Sequence, residues 1–418
     1  MRVAIVGSGV SGLVSAHLLH PEHQITMYEA DDRVGGHVNT VSVELEDGVH
    51  AVDTGFIVYN ERTYPAFTKL LAQLGVQTQP SDMSFSVSCA ETGLEYRTTN
   101  ANTLFAQRRN LARPSFLRLL ADIPRFNRGA RRLIESEDLT TTLADFLDEG
   151  GYSRSFVEHY IVPLGASIWS ADPARFSCFP MAALARFFDR HGLTSPAERP
   201  RWRSISGGAA RYVERLVAPF AGRIRLGSPV RRIERDDAGV TVYTDANGGE
   251  RFDRVVLATH SDQSLRLLAR PTPAEEQVLG AICYQPNRAT LHTDRSALPR
   301  SRRAWAGWNY IHLAHHGGEE PHQAALTYNA NRLQSIASAQ PLCTTLNRDG
   351  AIDPATVIAS FDYEHPVFDE TATRAQRCHD RLNGTLNTYY CGAYWGWGFH
   401  EDGVQSALVA MRHFGRSL

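Results

Sequence analysis

Gly7, Gly9 and Gly12 have the spacing of a phosphate-binding turn, and Glu29 follows 22 residues after the first of them. Glycine allows a tight turn and lets a pyrophosphate approach the backbone, while the next helix start offers N–H groups without partners. A carboxylate about 20 residues further on reaches a ribose hydroxyl. Ser8, Val10 and Ser11 complete the turn. The chemistry on offer is the gripping of a dinucleotide. Near the other end, His400 stands between the aromatic run Tyr394, Trp395, Trp397, Phe399 and the acids Glu401 and Asp402. Histidine exchanges a proton near neutral pH. His400, with Trp395 and Tyr394, is therefore the expected catalytic group.

These residues need particular elements to position them. Val3 to Val6 is an apolar β-run, and Leu13, Ala16, Leu18 and Leu19 then fall at helical spacing. A second strand, Gln24 to Tyr28, delivers Glu29. Strand, glycine turn, helix, strand and acid in that order give the fingerprint the context that confirms it.

The continuation through Glu29, Ala30, Arg33, Gly35, Gly36 and His37 resembles the E-A-x-x-R-x-G-G-R signature of the flavin-containing amine oxidase superfamily. That superfamily also holds protoporphyrinogen oxidases and phytoene desaturases. The resemblance implies FAD and an α/β fold: a Rossmann-like FAD-binding domain of the amine oxidase (GR2) type, interleaved with an α+β substrate domain carrying a helical cap. It places Thr54, Gly55 and Phe56, in a D-x-G segment beginning at Asp53, against the flavin ring. It brings Val230 to the adenine through its backbone, and Ala258 and Thr259 near the dinucleotide. It makes Gly392, Ala393, Asp402, Gly403 and Val404 the closing element, whose helix, expected from Val404 to Met411, faces the flavin. Asp31 and His37 depart from the pattern by replacing arginines, and Ala393 by replacing an acid. No cysteine stands where monoamine oxidases attach flavin, so the resemblance implies non-covalent FAD. Many amine oxidases hold a water at the flavin with a lysine; here Lys69 is the only lysine, on an early amphipathic helix from Tyr64 to Leu74.

The 418 residues suggest two intertwined domains, expected as 1–75, 203–275 and 376–418 for FAD, and 76–202 with 276–375 for substrate and cap. Charged content of 21%, apolar content of 43% and a net charge of −2 describe a soluble globular protein with no pull towards nucleic acid. No apolar run approaches the ~20 residues of a membrane span. A first strand starting at Arg2 suggests no cleaved signal, hence a cytoplasmic protein. Six cysteines form no CxxC pair and no zinc spacing, so reduced thiols and no metal are expected. From Phe105 to Ile134 the chain reads as helical and basic, with eight arginines against Asp122 alone. Pro114 and Pro124 should break or kink it. Peripheral contact with anionic lipid on the inner face of the membrane is one expectation for this stretch; a solvated cap helix is the other. Further short helices are expected at Leu139 to Leu147, Phe156 to Val162, Pro163 to Trp169 and Phe179 to Phe188, and strands across 276–375.

A narrower similarity covers nearly the whole chain. Met83 to Ser88, Leu104 to Leu111, Trp202 to Gly208 and Gly398 to Gly403 resemble bacterial FAD proteins associated with cyclopropane fatty acid synthases, and the N-terminal portion of the plant synthases. It implies an FAD-dependent oxidoreductase, of desaturase or dehydrogenase type, taking hydride from a fatty-acyl or lipid substrate. Two alternatives stand beside it: an amine oxidase releasing hydrogen peroxide, and a non-catalytic flavoprotein partner of a fatty-acid methyltransferase.

Overall fold

The computed structural model describes residues 1–170, 176–195, 199–246, 248–312 and 325–418. Its first strand, Arg2–Val6, is buried from Val3 onward, as an inner strand of a parallel sheet must be. The strand lies between Gln24–Tyr28 and Arg254–Leu257, with Ile224–Arg225 and Thr388–Tyr390 outside them. All these pairings are parallel. A small antiparallel sheet, Val230–Asp236, Gly239–Thr244 and Glu250–Phe252, packs on this core. The first helix, Val10–Leu19, is buried almost all round, between the sheet and the closing helix. Its small residues make that possible, and Ser15 returns its hydroxyl to the Ser11 carbonyl at 2.8 Å.

A second body is built on a seven-stranded mixed sheet. Phe85–Cys89 and Leu94–Arg97 join Cys283–His292, Trp308–His312, Ala325–Asn329, Cys343–Leu346 and Val357–Val367. The junction between the distant segments is parallel, Trp308 opposite Phe85. Part of the region expected as strands, 276–279, lies in a helix, Pro273–Leu279, and the strands begin at Cys283. Residues 313–324 of that region lie outside the described residues. A three-stranded sheet links the two bodies, pairing Trp202–Ile205 with Val58–Asn60 and Thr78–Pro80.

The cap differs from its sequence pattern in three ways. Between Phe105 and Pro114 the chain makes a 3-10 turn, Arg108–Ala112, not an α-helix. The helix Pro114–Arg131 starts on Pro114, whose missing N–H is unneeded at a first helical position, and runs through Pro124 without a break. The segments expected as two helices from Phe156 to Trp169 are continuous with Arg154, through a wide π-turn at Val157–Ile161. Pro163 has no N–H to give to the ladder, and the widened turn ahead of it absorbs that loss.

The closing helix is His400–Arg412, starting four residues before the expected Val404. The Asp402 carboxylate accepts the Phe399 N–H at 2.9 Å, which closes the first turn early and puts Gly403 inside the helix. There Gly403 meets the first helix, and its carbonyl accepts the Ser11 hydroxyl at 2.9 Å. A side chain at Gly403 would lie 2.5 Å from Val10 Cγ1. Gly403→Val should therefore cost about 1–3 kcal/mol of stability, the usual scale of overpacking. A calorimetric midpoint equal to the parent's would show that the two helices separate freely.

Candidate dinucleotide and active site

The glycine turn is assembled from four parts of the chain. Gly7 takes a left-handed φ of +97° and gives its N–H to Tyr28 at 2.8 Å. Against it lies the Ala258 carbonyl, 2.9 Å from where a Cβ would stand, and Thr259 Cγ2 at 3.3 Å. Gly36 sits over Gly9, with 3.1 Å between a built Cβ and the Gly9 Cα, and Gly35 gives its N–H to the Ser8 carbonyl at 3.0 Å. The closing helix supplies the fourth side through Gly403 and the fully buried Val404. Gly9 caps the first helix with no side-chain bond, and the space where its Cβ would be is open for 4 Å.

Glu29 stands at the end of its strand beside this turn. It accepts the Ser8 N–H at 2.7 Å, the Ser8 hydroxyl at 2.5 Å and the Asp31 N–H at 3.0 Å. Ala30 is exposed beside it. Arg33 turns its guanidinium inward to the carbonyls of Val38 and Gly36, both at 3.0 Å, and so fixes the loop that carries the glycine pair. His37 follows that pair and stacks on Tyr363 at 4.9 Å. Its buried Nε2 has no partner among the described residues. Burial, then His365 and His260, holds the His37 imidazole well below its usual range. An open, uncapped helix start, an acid at the end of the second strand and an orphaned buried nitrogen beside the glycine pair fit a dinucleotide.

The D-x-G segment laces into the same loop. Thr54 and Phe56 give their N–H groups to Asn39 and His37 at 2.9 and 2.8 Å, and a Cβ on Gly55 would fall 2.2 Å from the His37 carbonyl. Asp53 caps the helix Ala210–Val217 through the Ala209 N–H at 2.9 Å and takes hydroxyl and amide hydrogens from Thr40 and Gln334. Burial raises Asp53 to about 7.

The three residues expected to be catalytic do not come together. His400 stacks on Phe56 at 3.8 Å, meets Phe67 edge-on and pairs its Nε2 with the Tyr212 hydroxyl at 2.6 Å. Burial lowers it to about 3, so it is neutral at physiological pH. With Nε2 engaged by Tyr212 and its ring face on Phe56, it positions Phe56, and burial leaves it a weak base. Tyr394 and Trp395 turn towards the opposite core, with Val6, Tyr28 and Tyr390, where Trp395 stacks on His379 at 4.2 Å. Both lie in the turn Ala393–Trp395, ahead of the closing helix that begins at His400, and Gly392 is tied to that helix by the Ser406 hydroxyl at 2.8 Å. Val230 opens its strand in that same opposite core.

Comparison with known proteins settles the class. The family model for flavin containing amine oxidoreductases matches residues 10–335. The chain belongs to that family. FAD is accordingly its cofactor, and its fold is the FAD-dependent amine oxidase fold. A Mycobacterium tuberculosis protein assigned as a flavin-containing monoamine oxidase, AofH, is 26% identical over 287 residues, covering 66% of this chain. The match spans 61% of that relative's own length. Among solved structures, putrescine oxidase superposes with a TM-score of 0.70 at 15% identity over 100% of both chains. A fatty acid isomerase from P. acnes gives 0.69 at 15%, covering 99% and 98% of the two chains.

Tyr212 carried no signal in the sequence and Glu401 only that of an acid beside His400, since each acts on a partner far along the chain. Glu401 accepts the Ala66 and Phe67 N–H groups at 3.1 and 2.9 Å and so caps the helix Pro65–Gln73. Asp402 is raised to about 7 by burial.

Glu29→Ala should weaken FAD retention by roughly 10–100-fold, since a hydrogen bond to a charged group contributes about 1.5–3 kcal/mol. Titration of apoprotein with FAD measures it, and unchanged affinity would remove Glu29 from the ribose. His400→Ala should cost about 2–5 kcal/mol of stability by emptying a packed site. Flavin reduction per bound FAD should stay within about tenfold. A loss of roughly 10²–10⁴-fold with FAD bound is the signature of a missing general base, and would return His400 to catalysis.

Proposed function

We propose that the protein is an FAD-dependent oxidoreductase of desaturase or dehydrogenase type acting on a hydrophobic, fatty-acyl or lipid substrate. The observation that carries this reading is an aromatic wall where the cap meets the loop before the closing helix. Trp169 lies 4.9 Å from Phe179 and 4.6 Å from Phe187, and Phe187 stacks on Phe399 at 5.6 Å. The Trp169 indole N–H reaches the Trp397 carbonyl at 3.2 Å and fastens cap to loop. His191 stacks on Phe187 at 4.0 Å and is lowered to about 4 by burial. Such a wall suits an alkyl chain. The structural likeness to a fatty acid isomerase agrees with it.

When bound, FAD supplies the hydride acceptor. The chain's own part is to bind, orient and exclude water. The N–H groups of the first helical turn would receive phosphate and Glu29 would receive ribose hydroxyls. His400, neutral and paired with the Tyr212 hydroxyl, holds Phe56 in place.

The relatives favour a second reading, an amine oxidase. Against it, Lys69 gives its ammonium to the Leu418 carbonyl at 2.6 Å on the surface, so no lysine is left to hold a water beside the flavin. A third reading makes the protein a non-catalytic partner of a fatty-acid methyltransferase. Anaerobic mixing separates the three. Unsaturated phospholipid should bleach the flavin and amines should not. Bleaching by amines alone would establish the second reading, and bleaching by neither the third.

A further inference from the structure

The basic stretch seen in the sequence becomes a distinct surface in the structure. On the helix Pro114–Arg131, Phe116, Leu119, Asp122, Phe126 and Ala130 face inward. Pro114, Leu117, Arg118, Ala121, Pro124, Arg128 and Arg131 face outward. Asp122, the stretch's one acid, is 1% exposed; it accepts Arg125 at 2.9 Å and the Ser153 N–H at 3.0 Å, and the exposed Arg118 lies 3.7 Å from its carboxylate. The outward face therefore carries no carboxylate of its own, because the sole acid has been drawn into the core.

The arginines at the head of this helix are held by neutral partners. Arg109 donates to the Gly93 carbonyl, Arg113 to the Thr92 carbonyl and Arg108 to the Phe105 carbonyl and the Asn102 amide oxygen. Their positive charge is oriented without being neutralised. A second arginine group arrives from far along the chain. The turn Arg302–Ala304 packs beside Leu94–Arg97 and Ala101–Leu104, with Arg302 and Arg303 exposed. It is anchored by the buried Glu95 carboxylate, which accepts the Arg300 and Ser301 N–H groups at 2.9 and 3.0 Å.

Two leucines project from the same head. Leu111 is 55% exposed and Leu117 44% exposed, although both lie within a few residues of fully buried neighbours. A solvated cap helix has no need of exposed leucines among its arginines. A face that binds a polyanion such as nucleic acid needs the charge but not the leucines. Cationic side chains around protruding apolar ones are what an anionic bilayer selects, with the leucines entering the acyl boundary and the arginines resting on headgroups.

We propose that the face made by Leu111, Leu117, Arg109, Arg113, Arg118 and the Arg302–Arg303 turn docks the protein on an anionic lipid bilayer. Among the described residues no helix is long and apolar enough to cross a membrane, so this contact is peripheral. The docking stands apart from the substrate reading, since it is measured with no turnover.

The test is flotation of the holoprotein with vesicles of phosphatidylglycerol and phosphatidylcholine, against vesicles of phosphatidylcholine alone. The expected result is binding to the anionic vesicles at low salt, falling as salt shortens the screening length below about 8–10 Å. Arg109→Gln/Arg113→Gln/Arg118→Gln should weaken it at least roughly tenfold, as each arginine near such a surface contributes substantially. Leu111→Gln/Leu117→Gln should weaken it at unchanged charge. The leucine variant changes exposed groups and the arginine variant exposed or half-buried ones, and their FAD content and thermal midpoint report that folding is intact. Equal binding to both vesicle types, no binding to anionic vesicles, or full affinity in the leucine variant would overturn the proposal. Salt-sensitive retention on heparin without vesicle binding would overturn it in favour of a polyanion site.

Discussion

At Gly12 a methyl group would lie 2.0 Å from the Gly7 carbonyl oxygen, so the first helix can pack there only without a side chain. A methyl group at Gly403 would meet Val10 Cγ1 at 2.5 Å in the same sense, and one at Gly36 would lie more loosely over Gly9, at 3.1 Å. These approaches draw residues 7–12, 35–36, 258–259 and 403 into one place. The backbone N–H groups left free at that point are where a pyrophosphate would sit. Close packing and ligand binding are therefore one feature: the bare backbone that permits the first also creates the second.

Buried carboxylates hold the surrounding elements in register. Asp53 joins a strand, the helix Ala210–Val217 and Gln334 of the second body. Glu401 reaches from the closing helix to cap Pro65–Gln73. Glu275 pairs with Arg235, both almost wholly buried, and also accepts the Tyr390 hydroxyl. Each carboxylate loses solvation by burial and recovers it from N–H and O–H donors of other segments. Breaking one partner would leave a buried polar group unsatisfied, so these links specify how the interleaved segments meet.

Local pattern was enough to read the parallel core. The alternation from apolar run to glycine turn to helix is decided within thirty residues, and Gln24–Tyr28 lies where periodicity put it. The family signature carried the reading to FAD. What was illegible depends on distance. Nothing near His400 announces Tyr212, 188 residues away, or the stack on Phe56 that gives the ring a packing role. Asp402 looked like a ligand of the cofactor, yet its bond to Phe399 starts the closing helix early. Of the two cap prolines, Pro114 does break the stretch, by starting a new helix, and Pro124 does not. Pro124 signals a break in isolation, but Phe126, Ala130 and Phe116 secure its helix from the other side.

Everything above requires a non-covalent FAD site on the uncapped N-terminus of the first helix. The most direct measurement is mass spectrometry of what the purified holoprotein releases on denaturation. The account predicts intact FAD, free of any peptide. A flavin lacking adenine, a flavin bound to a peptide, or no flavin after reconstitution with FAD would contradict it.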